Sequence, residues 1–114
     1  MKVVSFKEPD LQESKPGWTR LGLARAKNFS IGYFYRSADH ASPQHHHPSE
    51  QVSVVILGRM KVTGSDGTEC ILGPGDSVYF APNEAHRIEH TGVEMAVGID
   101  IFSPARNCDL WMNQ

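Results

Sequence analysis

A chain of 114 residues is sized for one domain, and 39% apolar against 21% charged residues excludes an intrinsically disordered polypeptide. Eleven Lys and Arg against thirteen Asp and Glu give a net charge of -2 with no basic block, so nucleic acid is not an expected partner. No apolar run approaches the roughly 20 residues of a spanning helix, so no membrane partner is expected either. Cys70 and Cys108 lack the spacing of a redox or zinc motif, and the N-terminal Met1–Pro9 stretch has no apolar signal core. A single domain over residues 1–114 with reduced thiols, in the cytoplasm, is the expectation.

The chain is punctuated by ten glycines and seven prolines, and no helical apolar stripe exceeds two turns. Short strand-like runs follow one another instead: Val3–Phe6, Thr19–Ala24, Phe29–Arg36, Val52–Leu57, Met60–Thr63, Glu69–Leu72, Ser77–Phe80, Arg87–His90 and Met95–Phe102. Turn formers separate them. Asp66-Gly67 reads as a tight primed hairpin turn, and Gly73-Pro74-Gly75-Asp76 as a turn leading into Ser77. Many short strands at close spacing predict an all-β sandwich or barrel.

Of the six histidines, His45, His46 and His47 are consecutive. Residues two apart on an extended chain share a side, so His45 and His47 converge while His46 points away. The Ala81–His86 turn delivers His86 to the start of another strand. Three neutral imidazoles and one oxygen donor suit a divalent first-row metal, with Zn, Ni, Fe, Mn and Co all open. In Gln51–Leu57, Gln51, Ser53 and Val55 share one face and Val52, Val54 and Ile56 the other. A barrel interior takes only one of these faces, so the apolar outer one is expected to be covered by a second subunit in a homodimer, or by another part of the same chain.

Near the C-terminus, alternation puts Asp100 and Phe102 on one face of a strand otherwise rich in β-branched residues. Pro104 then turns the chain and brings Arg106 back toward the same end. A carboxylate, an aromatic ring and a guanidinium beside a metal suit a sugar acid, with Arg106 forked on its carboxylate and Asp100 moving a proton. The spacing equally fits an Asp100–Arg106 ion pair that closes the last strand, with Phe102 as core.

Two blocks resemble a known family. Asp39, His45, His47, Gln51 and Gly58 fall at the spacing of the first cupin motif, and Gly75, Ala81, Asn83 and His86 at that of the second; the blocks run over about 39–58 and 75–90. Asp39 and Asn83 stand for glycines, Ala81 for proline, His90 for asparagine and Gln51 for the usual glutamate. The resemblance implies a double-stranded β-helix, or jelly roll, whose metal is held by His45, His47, Gln51 and His86. Gln51 brings no charge, so such a site leaves the ion's 2+ uncompensated and favours an anionic substrate. Asp100, Phe102 and Arg106 complete a pattern similar to the KdgF-type cupins of pectin and alginate breakdown. Those enzymes convert cyclic 4,5-unsaturated monouronates to open-chain keto sugar acids, and the resemblance implies that Asp100, Phe102 and Arg106 are the corresponding catalytic residues. The competing classes are an oxygen-using or other metal-dependent cupin enzyme, and a non-enzymatic cupin that binds a small molecule.

Overall fold

The computed structural model describes residues 1–37 and 44–105. It is all β among these residues. The strands are β1 (Leu11–Lys15), β2 (Trp18–Arg25), β3 (Ser30–Arg36), β4 (Glu50–Leu57), β5 (Arg59–Thr63), β6 (Glu69–Leu72), β7 (Ser77–Phe80), β8 (Arg87–Thr91) and β9 (Ala96–Ser103). They form a six-stranded antiparallel sheet in the order β1-β2-β3-β9-β4-β7 and a three-stranded sheet in the order β6-β5-β8. The jumps from β3 to β9 and from β9 to β4 are those of a jelly roll, in which sequence neighbours are often not sheet neighbours.

Most sequence-read strands lie within two residues of their observed bounds. Two differ. Val3–Phe6 makes only an isolated bridge, Ser5 with Glu8. Leu11–Lys15, passed over because its charges mask any alternation, pairs in full register with β2, Glu13 opposite Arg20. The Asp66-Gly67 hairpin joins β5 to β6, but only Gly67 has positive φ (85°), with Asp66 Oδ1 accepting the Thr68 amide at 2.9 Å. The loop is therefore not a primed two-residue turn. Its single left-handed position needs only the glycine.

Alternation decides what lies inside. In β3 the buried residues are Ser30, Gly32, Phe34 and Arg36; in β9 they are Ala96, Gly98, Asp100 and Phe102; in β4 they are Gln51, Ser53 and Val55. Phe34, Val55, Met60, Val62, Leu72, Phe80, Ile88 and Ala96 make one apolar core shared by both sheets. Gly98 is required there, because a Cβ would collide with the Val54 carbonyl oxygen and the Phe34 ring. The rest of the interior is polar: Arg20, Arg36, His47, Gln51, Ser53, His86 and Asp100 are all buried. Groups of this kind enter a barrel only in hydrogen-bonded or paired arrangements.

Candidate metal centre

The histidines reach one point through backbone pairing. His45 and His86 form a two-sided bridge, N to O at 2.9 Å and 2.8 Å. The turn that presents His86 is locked by three bonds: Glu84 N to the Ala81 carbonyl, Ala81 N to Glu84 Oε1, and Asn83 N to the His47 carbonyl at 2.7 Å. Asn83 sits at φ 61°, the left-handed conformation that asparagine tolerates well. The candidate donor atoms of His45, His47 and His86 lie within 4.8 Å of one another, and His46 is exposed. The parity reading of the His triplet therefore holds.

Tautomers follow from the partners. His47 Nδ1 lies 2.8 Å from the Ser49 carbonyl oxygen, and His86 Nδ1 2.9 Å from that of Glu84. A carbonyl only accepts, so each Nδ1 carries the proton and each neutral ring keeps its Nε2 lone pair for something else. His86 Nε2 is buried with no hydrogen-bond partner among the described residues. Burial, the largest cause, pushes the His86 pKa down to about 4, with the His45 and His47 rings adding to the effect and the Glu84 carbonyl opposing it. The ring is therefore neutral, and ready to ligate, at ordinary pH.

Gln51 is oriented with equal economy. Its Nε2 donates to Ser53 Oγ at 2.9 Å and faces Asp100 Oδ1 at 3.4 Å, which turns Oε1 toward His47 Nε2 at 3.0 Å. With its Nδ1–H directed at the Ser49 carbonyl, a His47 ring that carries no second proton would present a lone pair to a carbonyl oxygen across 3.0 Å. Two acceptors face each other at such a distance when a proton or a cation lies between them. This donor set fits a divalent metal: three imidazoles and one amide oxygen, with His47, His86 and Gln51 each held by a second contact. A first-row ion bound there would act as a Lewis acid.

Below this cluster lies Asp100, 1% exposed. Its Oδ2 accepts from Arg20 Nη2 at 2.7 Å and Nε at 3.1 Å, and its Oδ1 accepts from Ser53 Oγ. Asp100 thus pairs with Arg20, 80 residues away in sequence, a partner the spacing did not suggest; the Asp100–Arg106 alternative falls outside the described residues. Gly32 makes room for it, since a Cβ there would come within 2.9 Å of Arg20 Cδ. Phe102 is fully buried, its ring 5.8 Å from that of His47 and 5.1 Å from the Arg20 guanidinium. Arg106 and Asp39 lie outside the described residues. His90 is buried on β8, where its Nε2 donates to the Glu94 carbonyl and serves the β8–β9 turn.

A family model of the Cupin domain matches residues 35–102. The chain is a cupin. An uncharacterised protein of Streptomyces coelicolor is 27% identical to this cupin over 105 residues, covering 91% of this chain and 97% of that one. Among solved structures, KdgF from Halomonas sp. superposes with a TM-score of 0.83 at 23% identity, covering 96% and 98% of the two chains. An RmlC-like cupin from Shewanella frigidimarina NCIMB 400 gives 0.81 at 25% identity, covering 94% and 95%. These likenesses agree with a small cupin of the KdgF-type size and shape.

Arg20, Arg36 and Trp18 were missed as interior residues by sequence reasoning, whereas Ser53 shares the face read for Gln51. The signal was present for Arg36: it shares parity with Phe34, the obvious core residue of its strand. For Arg20 there was less to see, because Leu21 and Gly22 beside it are buried too.

Proposed function

We propose that this cupin is a metal-dependent isomerase that opens cyclic 4,5-unsaturated monouronates to linear keto sugar acids. The observation that carries the reading is the position of Asp100, one amide away from the histidine cluster: its Oδ1 faces Gln51 Nε2, whose own Oε1 faces His47. The reaction needs one proton moved. Loss of the anomeric hydroxyl proton breaks the C1–O5 bond and gives an aldehyde at C1 and an enolate at C5; a proton delivered to C4 then gives the ketone. No atom is gained or lost.

The bound ion would polarise a sugar oxygen, and the remaining work falls to this chain's side chains. Asp100 is the carboxylate next to the cluster and the proton carrier in this reading. Arg20 orients it through two nitrogens, Ser53 fixes the other oxygen, and the Phe102 ring closes the wall between Arg20 and His47. Arg106, the candidate for the substrate carboxylate on spacing, has a competitor among the described residues in Arg36, whose Nε and Nη1 are buried without a hydrogen-bond partner there. The test is NMR of unsaturated galacturonate with metal-loaded protein. The vinyl C4 proton signal should vanish much faster than in buffer with the metal alone; an unchanged rate would reject the reading.

We also infer a homodimer. Phe6 stacks on Tyr33 at 5.5 Å and covers part of the outer sheet from within the chain. That cover stops short of the β4–β7 end, where Ile56, Leu57 and Tyr79 remain about half exposed. Exposed apolar side chains on one strand pair of the sheet edge suit a two-fold partner. Light scattering at micromolar concentration should give twice the chain mass, and a monomer would reject it.

A further inference from the structure

The charges buried in the barrel are not evenly matched. Asp100 takes two hydrogen bonds from Arg20, and Glu13 has Lys15 at 4.0 Å. Arg36 is different. It is 4% exposed, and its Nε and Nη1 are buried with no hydrogen-bond partner among the described residues. Its guanidinium lies 5.7 Å from the Trp18 ring and 5.5 Å from the Phe34 ring, contacts that cradle a cation without filling its hydrogen-bonding fork. Of the ionised groups that act on it, Asp100 attracts and Arg20 repels, while burial dominates and brings its pKa down from 12.5 to about 9. A buried guanidinium with unmade bonds is costly, and an anion removes that cost by supplying the acceptors.

A wall of alternating rings and guanidinium groups leads from the histidines to this spot. The His47 and Phe102 rings are 5.8 Å apart, Arg20 lies 5.1 Å from Phe102 and 4.9 Å from Trp18, and Arg36 follows at 5.7 Å from Trp18. We propose that Arg36, with Trp18 and Arg20 beside it, is an anion subsite for the carboxylate of a small organic acid whose oxygens reach toward the histidine cluster. That the acid is a uronate rests on the isomerase reading; the anion subsite does not. A purely structural Arg36, held by its two aromatic neighbours, predicts different behaviour. Its replacement by an apolar residue of similar length would then lower stability and leave acid binding alone.

The experiment uses metal-free full-length protein, so that its readout is independent of turnover. Trp18 and Trp111 are the two tryptophans, and a Trp111→Phe background leaves Trp18 as reporter. Sodium D-galacturonate, the saturated counterpart of the proposed substrate, is titrated against D-galactose and sodium chloride at matched ionic strength. Galacturonate should change Trp18 emission saturably and galactose should not. Arg36→Met should weaken that binding by at least about tenfold while its melting temperature holds or rises, because an unmatched buried charge has been removed. Should Arg36→Met fail to fold, Arg36→Lys retains the charge without the fork and should still bind more weakly than the parent. Two results overturn the proposal: no galacturonate response in the parent protein, or undiminished affinity in the folded Arg36 variant. Galacturonate binding without loss of the vinyl signal would end the isomerase reading and leave the subsite standing.

Discussion

The histidine end and the arginine end of the barrel solve the same problem, burying polar groups, by different means. At the histidine end the fixing contacts are local: His47 to Ser49, His86 to Glu84 and Gln51 to Ser53 each span two residues. At the arginine end they are remote, with Arg20 reaching Asp100 across 80 positions and Ser53 reaching it across 47. Local fixing survives damage elsewhere, whereas remote fixing couples strands β2, β4 and β9 and fails as a unit. Asp100 belongs to both ends, which makes it the best place to test the contrast.

Asp100→Asn should have the largest effect. The change is nearly isosteric, yet it strips Arg20 of its counter-charge and removes the carboxylate that attracts Arg36. A loss of about 3 kcal/mol in stability is expected, together with near-complete loss of ketonisation. A melt on this variant alone therefore does not separate a structural from a catalytic role. Ser53→Ala, assayed at saturating metal because Ser53 Oγ also accepts from Gln51 Nε2, does so better: it removes the hydrogen bond to Oδ1 and the one from Gln51, and should cost about 2 kcal/mol. If Asp100 carries the proton, turnover per folded molecule drops; unchanged turnover in Ser53→Ala argues for a structural carboxylate.

The histidine end should break in metal content rather than in fold. His86→Ala should weaken metal binding by about a hundredfold or more, while His46→Ala leaves it intact, as measured by elemental analysis after dialysis. Equal losses in both variants would contradict the convergence of His45, His47 and His86. Gln51→Glu sharpens the comparison, because it puts a second carboxylate where an amide now donates toward Asp100. The metal-free variant should melt below the parent, whereas the ion should bind it about tenfold tighter, so the gain in melting temperature on adding metal widens. An unchanged gain would count against Gln51 as a ligand.

The smallest effect is on pH. His86 binds its proton near pH 6.5 when unfolded and near 4 when folded, so between these values the unfolded chain holds more protons. Stability of the metal-free protein should therefore fall as pH drops from 7 to 5, by about 1 kcal/mol once partial water access is allowed for. Denaturant titrations at the two pH values check this; equal midpoints would show that His86 is not held neutral by burial.

How much of this was readable in the sequence follows the same local–remote division. The strands, the His45–His47 convergence, the turn that delivers His86 and the inward face of Gln51 all depend on parity or on residues a few positions apart, and all were legible. Leu11–Lys15 was not, because its inward residue is Glu13, a charge where the strand pattern asks for an apolar group. Arg20 as a partner of Asp100 was missed for a related reason. Arg106 is near in sequence, whereas Arg20 becomes near only once β2, β3 and β9 lie side by side. Spacing along a chain carries no record of that adjacency.

Gly32 has a bearing on descent. It sits between Gly22 and Asp100 across its neighbouring strands, and any Cβ there would press on Arg20 Cγ and Cδ, at 3.0 and 2.9 Å. Those methylenes cannot swing aside, because the far end of the side chain is pinned to Asp100. A change at position 32 is therefore tolerable only in an ancestor that has already released Arg20, and the reverse order is closed. Glycine at 32, arginine at 20 and aspartate at 100 should be inherited together, and a relative with alanine or serine at 32 should mark a branch in which the trio was dismantled.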